Sequence, residues 1–414
     1  MKIGILSQWY PPEPWFIPEN LATELAARGH EVRVLTGFPN YPAGKIYPGF
    51  RQRWNDRTVA GRLTTRRVPL YPSHDSSVIR RAANYLSFSA TSTLAGLRYL
   101  ANVDVLYVYL TPATVFAAPA LLRLLRGTPT VVHVQDLWPE SVTASAMAPQ
   151  GTVGRIAYRT LHKAMRQIYS TSAAVVAIAP SMRDLIVERG ADPAKVQVVL
   201  NWTDEDLFRP VGVTEPARRE IGHRGRCTIM YAGNIGPFQD IEACIRAAAA
   251  VEHSGPVDLV FIGSGMAEVS ARSLAAELRL SNVRFLGRRP PNEMAALLAA
   301  ADYQLVTLRD LPIFRGAIPS KLQAALSCGS PVVVSAPGDA AELVRRSGAG
   351  LACPPGNWEV LADRFLEAAN LPPEERAVMA RRARESYQAD MSKQAGVDQL
   401  EAILIQAARR GTNQ

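Results

Sequence analysis

The chain has 414 residues, 48% of them hydrophobic, with 46 Lys+Arg against 37 Asp+Glu and a net charge of +9. That length is too great for one ordinary core and suits two domains of about 200 residues. No run of about 18 apolar residues is present, which excludes a membrane-spanning helix from the reading. The four cysteines (Cys227, Cys244, Cys328, Cys353) are scattered with no C-x-x-C pair. They argue against a disulfide scaffold or structural zinc and fit a reducing compartment. The apolar stretch in Met1–Ser7 is too short for a signal peptide, so a cytoplasmic location is expected.

In chain order, Ile3–Leu6 predicts a buried strand, and Leu21, Leu25 and Ala26 recur at helical spacing. Gly29 ends that helix and Glu31–Leu35 returns as the second strand. Further strands are expected at Val103–Tyr109, Thr130–Val134, Ala173–Ile178 and Val196–Leu200, with helices near 78–100, 113–126, 153–169 and 181–189. The polar stretch Asn201–Gly225, with Pro210, Gly212 and Pro216, is the candidate linker. A second series of strands follows at Thr228–Tyr231, Val257–Ile262, Val283–Leu286, Tyr303–Thr307, Pro331–Val334 and Gly350–Ala352. Two terminal helices, near 373–387 and 391–410, close the chain. Apolar runs alternating with helical patterns define an α/β chain with two Rossmann-like parallel-sheet domains facing a cleft. Ligands of such sheets bind beyond the carboxyl ends of the strands, so the loops after each strand carry the candidate chemistry.

Charge is unevenly placed. Residues 1–210 hold 23 Lys+Arg against 15 Asp+Glu, or +8, and the remainder holds 23 against 22, or +1. Arg51, Arg53, Arg57, Arg62, Arg66 and Arg67 crowd together with only Asp56 among them. The cluster reads either as a solvated loop or as a face for an anionic partner such as lipid headgroups or a pyrophosphate-linked acceptor. Nucleic acid is not expected, since no zinc finger, helix-turn-helix or aromatic ribonucleoprotein motif accompanies the charge. The segments Ala82–Leu100 and 113–126 are apolar with basic edges at Arg80, Arg81, Arg98, Arg123 and Arg126. They read as core helices or as a peripheral membrane contact.

In the second half, Gly233-Asn234-Ile235-Gly236 follows a strand, and a helix expected near Gln239 would aim its positive end at an anion held there. Gly263-Ser264-Gly265 and Gly287-Arg288 follow the next two strands. Pro319-Ser320-Lys321-Leu322 opens another helix, with Lys321 as an ammonium beside free amides. Amides, a helix dipole and one cation together suit a diphosphate. Each loop alone also reads as an ordinary strand-to-helix turn. In the first half, Asp136 follows a strand at its carboxyl end, with Glu140 one helical turn on. These carboxylates read either as groups acting on a sugar acceptor or as a cap and a surface residue. Trp138 is either a sugar platform or a hydrophobic plug, His133 a core or wall histidine, and His30 structural.

The ordered set of segments resembles the retaining GT-B glycosyltransferases of family 4, along essentially the full length. The carrying residues are Trp9-Tyr10-Pro11-Pro12-Glu13, Arg28-Gly29-His30-Glu31-Val32, Thr36–Pro42, Gln135-Asp136-Leu137-Trp138-Pro139-Glu140-Ser141, Gly233–Gly236, Pro319–Leu322 and Gly329-Ser330-Pro331-Val332-Val333. Within the family the chain is similar to the bacterial exopolysaccharide and O-antigen branch of fucosyl- and N-acetylfucosaminyl-transferases. The resemblance implies an acceptor-side domain at 1–205 and a donor domain at 206–390, with the helix at about 391–410 packing back onto the first. It implies that Gly233, Asn234, Ile235, Gly236, Gln239, Ser320, Lys321 and Leu322 meet the donor diphosphate. Gly263, Gly265, Gly287 and Arg288 are then expected to meet the nucleoside, with Glu342 at the family's acidic position. Asp136 and Glu140 are the catalytic candidates, and Trp15, Phe16, Trp138 and His133 lie on the acceptor side.

The sequence also departs from the family. Trp15, Phe16 and Ile17 replace a Gly-Gly pair, Pro237–Asp240 replaces the phosphate-binding Arg/Lys pair, and Gly316 and Ala324 stand where paired glutamates are usual. Lys321 is thereby left as the main cation for the diphosphate. The expected function is transfer of a sugar from a nucleotide-sugar, a UDP-sugar by expectation, to a glycan or lipid-pyrophosphate-linked acceptor. No metal or cofactor is expected. A sugar-nucleotide epimerase and a non-catalytic donor-binding scaffold remain alternatives. A nicotinamide oxidoreductase is disfavoured because no G-x-G-x-x-G follows the first strand of either half.

Overall fold

A computed structural model describes residues 1–74, 77–138, 151–253 and 256–412. The chain divides into two compact units, Met1–Leu200 with Gly396–Gln414, and Asn201–Ala395. The first unit contains β1 (Lys2–Leu6), α1 (Phe16–Ala27), β2 (Glu31–Gly37), β3 (Asp56–Ala60), β4 (Leu63–Val68), α2 (Val78–Tyr99) and β5 (Val105–Leu110). It continues through α3 (Ala117–Arg126), β6 (Thr130–Val134), α4 (Gly151–Thr171), β7 (Ala174–Ala177), α5 (Pro180–Glu188) and β8 (Val196–Val198). Its sheet has the order β3-β4-β2-β1-β5-β6-β7-β8, with β3 and β4 antiparallel and the other pairings parallel. Every residue of β5 and β6 is buried, as a parallel sheet covered on both faces requires.

The hairpin β3–β4 is an element that the apolar pattern did not predict. Its two-residue Gly61-Arg62 turn, with Gly61 at φ +58°, joins strands whose exposed positions carry Arg57 and Thr58, and whose register pairs Ala60 with Leu63. A charged edge strand blunts pairing with other chains, and for the same reason lacks an apolar signature. The hairpin also corrects the reading of the arginine cluster. Arg67 points inward and donates to the Pro11 carbonyl at 2.6 Å and to the Gly37 carbonyl at 3.3 Å, with its guanidinium against the Tyr10 and Phe50 rings. Arg66 donates to the Trp54 carbonyl and lies over the Tyr99 ring. Two of the six arginines therefore hold the unit together rather than forming an outward charged face.

The second unit contains α6 (Glu215–Ile221), β9 (Cys227–Ala232), α7 (Ile241–Val251), β10 (Val257–Ile262), α8 (Glu268–Glu277), β11 (Val283–Phe285), α9 (Met294–Ala300) and β12 (Tyr303–Thr307). After these come α10 (Ser320–Ser327), β13 (Val332–Ser335), α11 (Asp339–Ser347), β14 (Gly350–Cys353), α12 (Trp358–Asn370) and α13 (Pro373–Ser386). Its sheet is wholly parallel in the order β11-β10-β9-β12-β13-β14. Strand alternation divides its core. Ile229, Tyr231, Leu259 and Phe261 pack with Ile245, Leu361 and Phe365 on one face, while Met230, Val260 and Ile262 pack with Ile221, Leu297 and Leu298 on the other.

The stretch read as a linker is in part a packed helix. The Thr214 hydroxyl caps α6 by accepting from the Ala217 amide, Pro216 occupies its first turn, and Gly222 ends it in the left-handed region. Helix α14 (Lys393–Thr412) begins in the second unit and its body belongs to the first. Arg28 pairs with Asp398 at 2.7 Å and with Glu401 at 2.5 Å, and His30 Nε2 lies 2.7 Å from Glu401, so His30 has a structural partner.

Candidate active site

In the second unit the strand order reverses between β9 and β12, the place where an open parallel sheet leaves a crevice at its carboxyl edge. The loops after β9, β10 and β11 are stitched together there. The Gly233 amide donates to the Ile262 carbonyl at 2.8 Å, the Gly263 amide to Gly287 at 2.9 Å, and the Ile235 amide to Ser264 at 3.0 Å. Gly263 has φ +131°, and a Cβ on it would run into the Gly233 carbonyl, so only glycine allows this approach. A Cβ on Gly265 would meet the Ile235 carbonyl in the same way. Arg288 Nε donates to the Ser264 hydroxyl at 2.5 Å. Gly233, Asn234, Gly263, Gly265, Gly287 and Arg288 are thus brought to one edge by this stitching.

Lys321 joins them from the first turn of α10. Its Nζ donates to the Tyr231 hydroxyl at 2.5 Å and lies 3.9 Å from the centre of that ring. The Tyr231 hydroxyl in turn donates to the Asn234 carbonyl at 2.6 Å. A Cβ on Gly233 would stand 3.6 Å from Lys321 Cε, so the missing side chain leaves the amine open to the loop. Burial pushes the Lys321 ammonium down to about 7. An anion delivered here would restore its charge. Tyr231 is the site residue that sequence reasoning missed, having been quoted only as a strand end. The available signal was a tyrosine two residues before the glycine loop, on the strand next to the switch point.

Three donor-side expectations, Ile235, Leu322 and Gln239, need correction. The Ile235 and Leu322 side chains are buried in the core, and their amides are committed to Ser264 and Pro319, so neither is a ligand-facing group here. Helix α7 starts at Ile241 rather than at Gln239, because Asp240 takes a left-handed conformation ahead of it. Gln239 then turns its Oε1 back to accept from the Gly236 amide at 3.1 Å, a bond inside the loop. Glu342 is exposed on the first turn of α11 and pairs with Arg345 at 2.8 Å. That turn is nevertheless close to the loop before α10, since the Asp339 amide donates to the Arg315 carbonyl at 2.8 Å. Ser320 is the exposed first residue of α10, after Pro319.

In the first unit the order reverses between β1 and β5, and the carboxyl edge there is aromatic. Trp9 and Trp15 stack at 5.0 Å, Tyr41 and Tyr109 meet Trp15 edge-on or nearly so, and Trp138 meets Tyr85 at 6.5 Å. Trp15 precedes α1 and Phe16 begins it, both half-buried. Buried Glu13 holds the edge together by accepting from the Asn40 and Tyr41 amides at 2.8 Å each and from the Tyr10 amide at 3.2 Å. Asp136 accepts from the Thr111 hydroxyl at 2.6 Å, and burial raises its carboxyl above the usual range. Glu140 lies outside the described residues. His133, expected on the acceptor side, is corrected to a core residue. It has no exposed surface, its Nδ1 is 2.6 Å from the Tyr107 hydroxyl, and burial holds it down to about 3. The alternation of β6 sends this side chain between Tyr107 and Tyr109. Among the described residues no three His, Cys, Asp or Glu side chains cluster as a metal site.

Two doubly wound units, one with a glycine-lined edge beside a buried lysine, make a two-domain α/β architecture that comparison with known proteins assigns to the glycosyltransferases. Residues 17–202 match the glycosyl transferase 4-like domain family and residues 214–386 the glycosyl transferases group 1 family. The chain belongs to the family 4 glycosyltransferases of the GT-B fold. It is 28% identical over 351 residues to the putative colanic acid biosynthesis glycosyl transferase WcaI of Escherichia coli K12, covering 81% of this chain and 83% of that one. It is 24% identical to the N-acetyl-alpha-D-glucosaminyl L-malate synthase of Bacillus anthracis, over 100% and 99% of the two chains. Among solved structures, Anabaena Alr3699/HepE in complex with UDP and glucose shares the fold, with a TM-score of 0.65 and 18% identity over 98% of this chain and 99% of that one.

Proposed function

We propose that this glycosyltransferase moves a sugar from a UDP-sugar, with retention at the donor's anomeric carbon, to a glycan or lipid-pyrophosphate-linked acceptor in cell-surface polysaccharide synthesis. The observation that carries the reading is Lys321 beside Gly233, where three glycine loops and the start of α10 converge at a switch point. The ammonium and the positive end of α10 would carry the charge of the leaving diphosphate without a metal. The UDP and glucose held by the Anabaena structure support the donor, and the colanic acid relative supports the polysaccharide role. On the acceptor side, Asp136 is a carboxylate at the carboxyl edge of the first sheet, among rings suited to stacking on sugars. The enzyme then works at the inner face of the membrane, where a lipid-linked acceptor is presented.

A panel of nucleoside diphosphates and UDP-sugars, read by thermal shift, tests the donor. A ligand that binds only the folded state raises its stability by mass action. UDP is expected to raise the melting temperature more than GDP or ADP, and stabilisation by none of them would overturn the reading. The anomeric coupling of the transferred sugar by NMR then decides retention. Product formed from donor alone would favour an epimerase.

A further inference from the structure

A helix on the surface of a globular unit ordinarily turns charged residues outward and apolar ones inward. Helices α2 and α3 turn apolar residues outward as well, along one side. On α2, Ile79, Ala82, Leu86, Ala90 and Leu94 recur every third or fourth residue and all are exposed. On α3, Ala120, Leu121, Leu124 and Leu125 are exposed. Five of these are large and wide open: Ile79 at 82%, Leu86 at 60%, Leu94 at 67%, Leu124 at 78% and Leu125 at 61%. The two helices pack together, with Gly96 of α2 against Ala118 of α3, so the stripes belong to neighbouring elements of one unit. The inward faces are already used, by Phe88, Ala95 and Gly96 on α2 and by Ala118 and Leu122 on α3.

The charge on these helices has one sign. Arg80, Arg81, Arg98, Arg123 and Arg126 lie on them, all exposed except half-buried Arg81, and neither helix contains an Asp or Glu; Arg123 also donates to the Thr171 carbonyl. Exposed leucines bordered by arginines, with no carboxylate, match the layering of an anionic bilayer surface, where apolar side chains enter the acyl boundary and guanidiniums meet phosphates. No helix among the described residues is long and apolar enough to cross a membrane. The match is to a helix pair lying in the interface.

We propose that the exposed face of α2 and α3 is the surface by which this chain seats on an anionic lipid bilayer. The proposal rests on the reading of the enzyme as one working at the membrane, and it replaces the arginine cluster of residues 51–67 as the contact. Arg66 and Arg67 of that cluster are engaged within the first unit. Seating through α2 and α3 depends on both contributions, so binding weakens with added salt and with loss of the leucines.

The test is co-sedimentation of the full chain with vesicles of phosphatidylglycerol and phosphatidylcholine mixed, or of phosphatidylcholine alone, at low and high salt. Wild type is compared with Leu86→Gln, Leu94→Gln and Leu124→Gln combined, and with Arg57→Gln and Arg62→Gln combined. The wild type is expected to bind the anionic vesicles, and the leucine variant to bind on the order of tenfold or more weakly. The Arg57/Arg62 variant is expected to stay within about twofold of wild type, since those residues belong to the β3–β4 hairpin and not to α2 or α3. UDP affinity, measured on each preparation, reports that the leucine variant is folded. The proposal is overturned by equal binding to both vesicle types, by no binding at low salt, or by loss confined to the Arg57/Arg62 variant. A dimer that the leucine variant converts to monomer, with vesicle binding unchanged, would also overturn it by assigning the face to a second copy. Vesicle binding without any UDP binding would instead count against the donor reading and leave this surface standing.

Discussion

Lys321 and Tyr231 form a buried pair in which the ammonium both donates to the phenol oxygen at 2.5 Å and rests 3.9 Å from the ring centre. The pair joins α10 to the end of β9, directly under the Gly233 loop. It holds the amine in place before any anion arrives, and burial there disfavours its charged form.

Removing that cation separates phosphate binding from nucleoside binding. Lys321→Ala is expected to weaken UDP binding by about 1.5–3 kcal/mol, the range for hydrogen bonds to charged groups, while uridine binding is unchanged. Calorimetry with both ligands checks this, and an unaltered UDP affinity would remove Lys321 from the site.

The lowered Lys321 value also sets a pH dependence. The amine is protonated in the free protein only below about 7, and a bound diphosphate favours its charged form. UDP affinity is therefore expected to fall as pH rises from 7 towards 9, with proton uptake on binding at pH 8. For the ligand-free protein the sign is opposite. The unfolded chain keeps this proton up to the ordinary lysine value, so stability rises with pH between about 7 and 10.5. Calorimetry in two buffers of different ionisation enthalpy measures the proton count, and zero uptake would refute the assignment.

The glycine loops predict a contrast between two substitutions. Gly263→Ala drives a methyl group into the Gly233 carbonyl from a backbone that L-residues rarely adopt. It is expected to cost about 2–4 kcal/mol and to abolish UDP binding at ordinary concentrations. Gly287 has φ +71° with open space around its Cβ position, so Gly287→Ala is expected to cost only about 1–2 kcal/mol, from the left-handed backbone alone. Denaturant unfolding of both variants measures the difference, and equal costs would show that the loops are not in close contact.

Asp136→Asn keeps the shape of the side chain and its bond to Thr111 while removing the charge. Turnover is expected to fall with UDP affinity near that of wild type. Because burial raises the Asp136 carboxyl, the acid limb of the wild-type rate profile should lie at higher pH than an ordinary aspartate would give. Unchanged turnover in the variant, or a collapse of donor binding, would show Asp136 to be structural.

Arg67→Gln tests the correction to the arginine cluster. The guanidinium donates to two loop carbonyls and lies in a mostly buried setting, so its loss is expected to destabilise the first unit by about 1.5–3 kcal/mol. Arg62→Gln, on the exposed turn of the hairpin, is expected to change stability by less than about 0.5 kcal/mol. Thermal unfolding of the two variants distinguishes a structural arginine from a solvated one.

The chain's local patterns were sufficient for the buried parallel strands of both sheets, because strands buried on both faces read as uninterrupted apolar runs such as Val257–Ile262 and Tyr303–Thr307. They were also sufficient for the glycine loops and for Lys321, whose places follow from strand ends and a helix start. Tertiary structure decided matters that depend on a neighbour distant in sequence. Arg67 is inward because Pro11 and Gly37 offer carbonyls, His133 is in the core because Tyr107 flanks it, and Leu322 is withdrawn because α10 buries that face. Tyr231 acquires its part only when a lysine 90 residues away comes to lie on it. The outward leucines of α2 and α3 carry the same periodicity as core leucines, and only the packing of the helices shows which side is left uncovered. Periodicity is a property of one segment, whereas burial is a property of the segments that meet it.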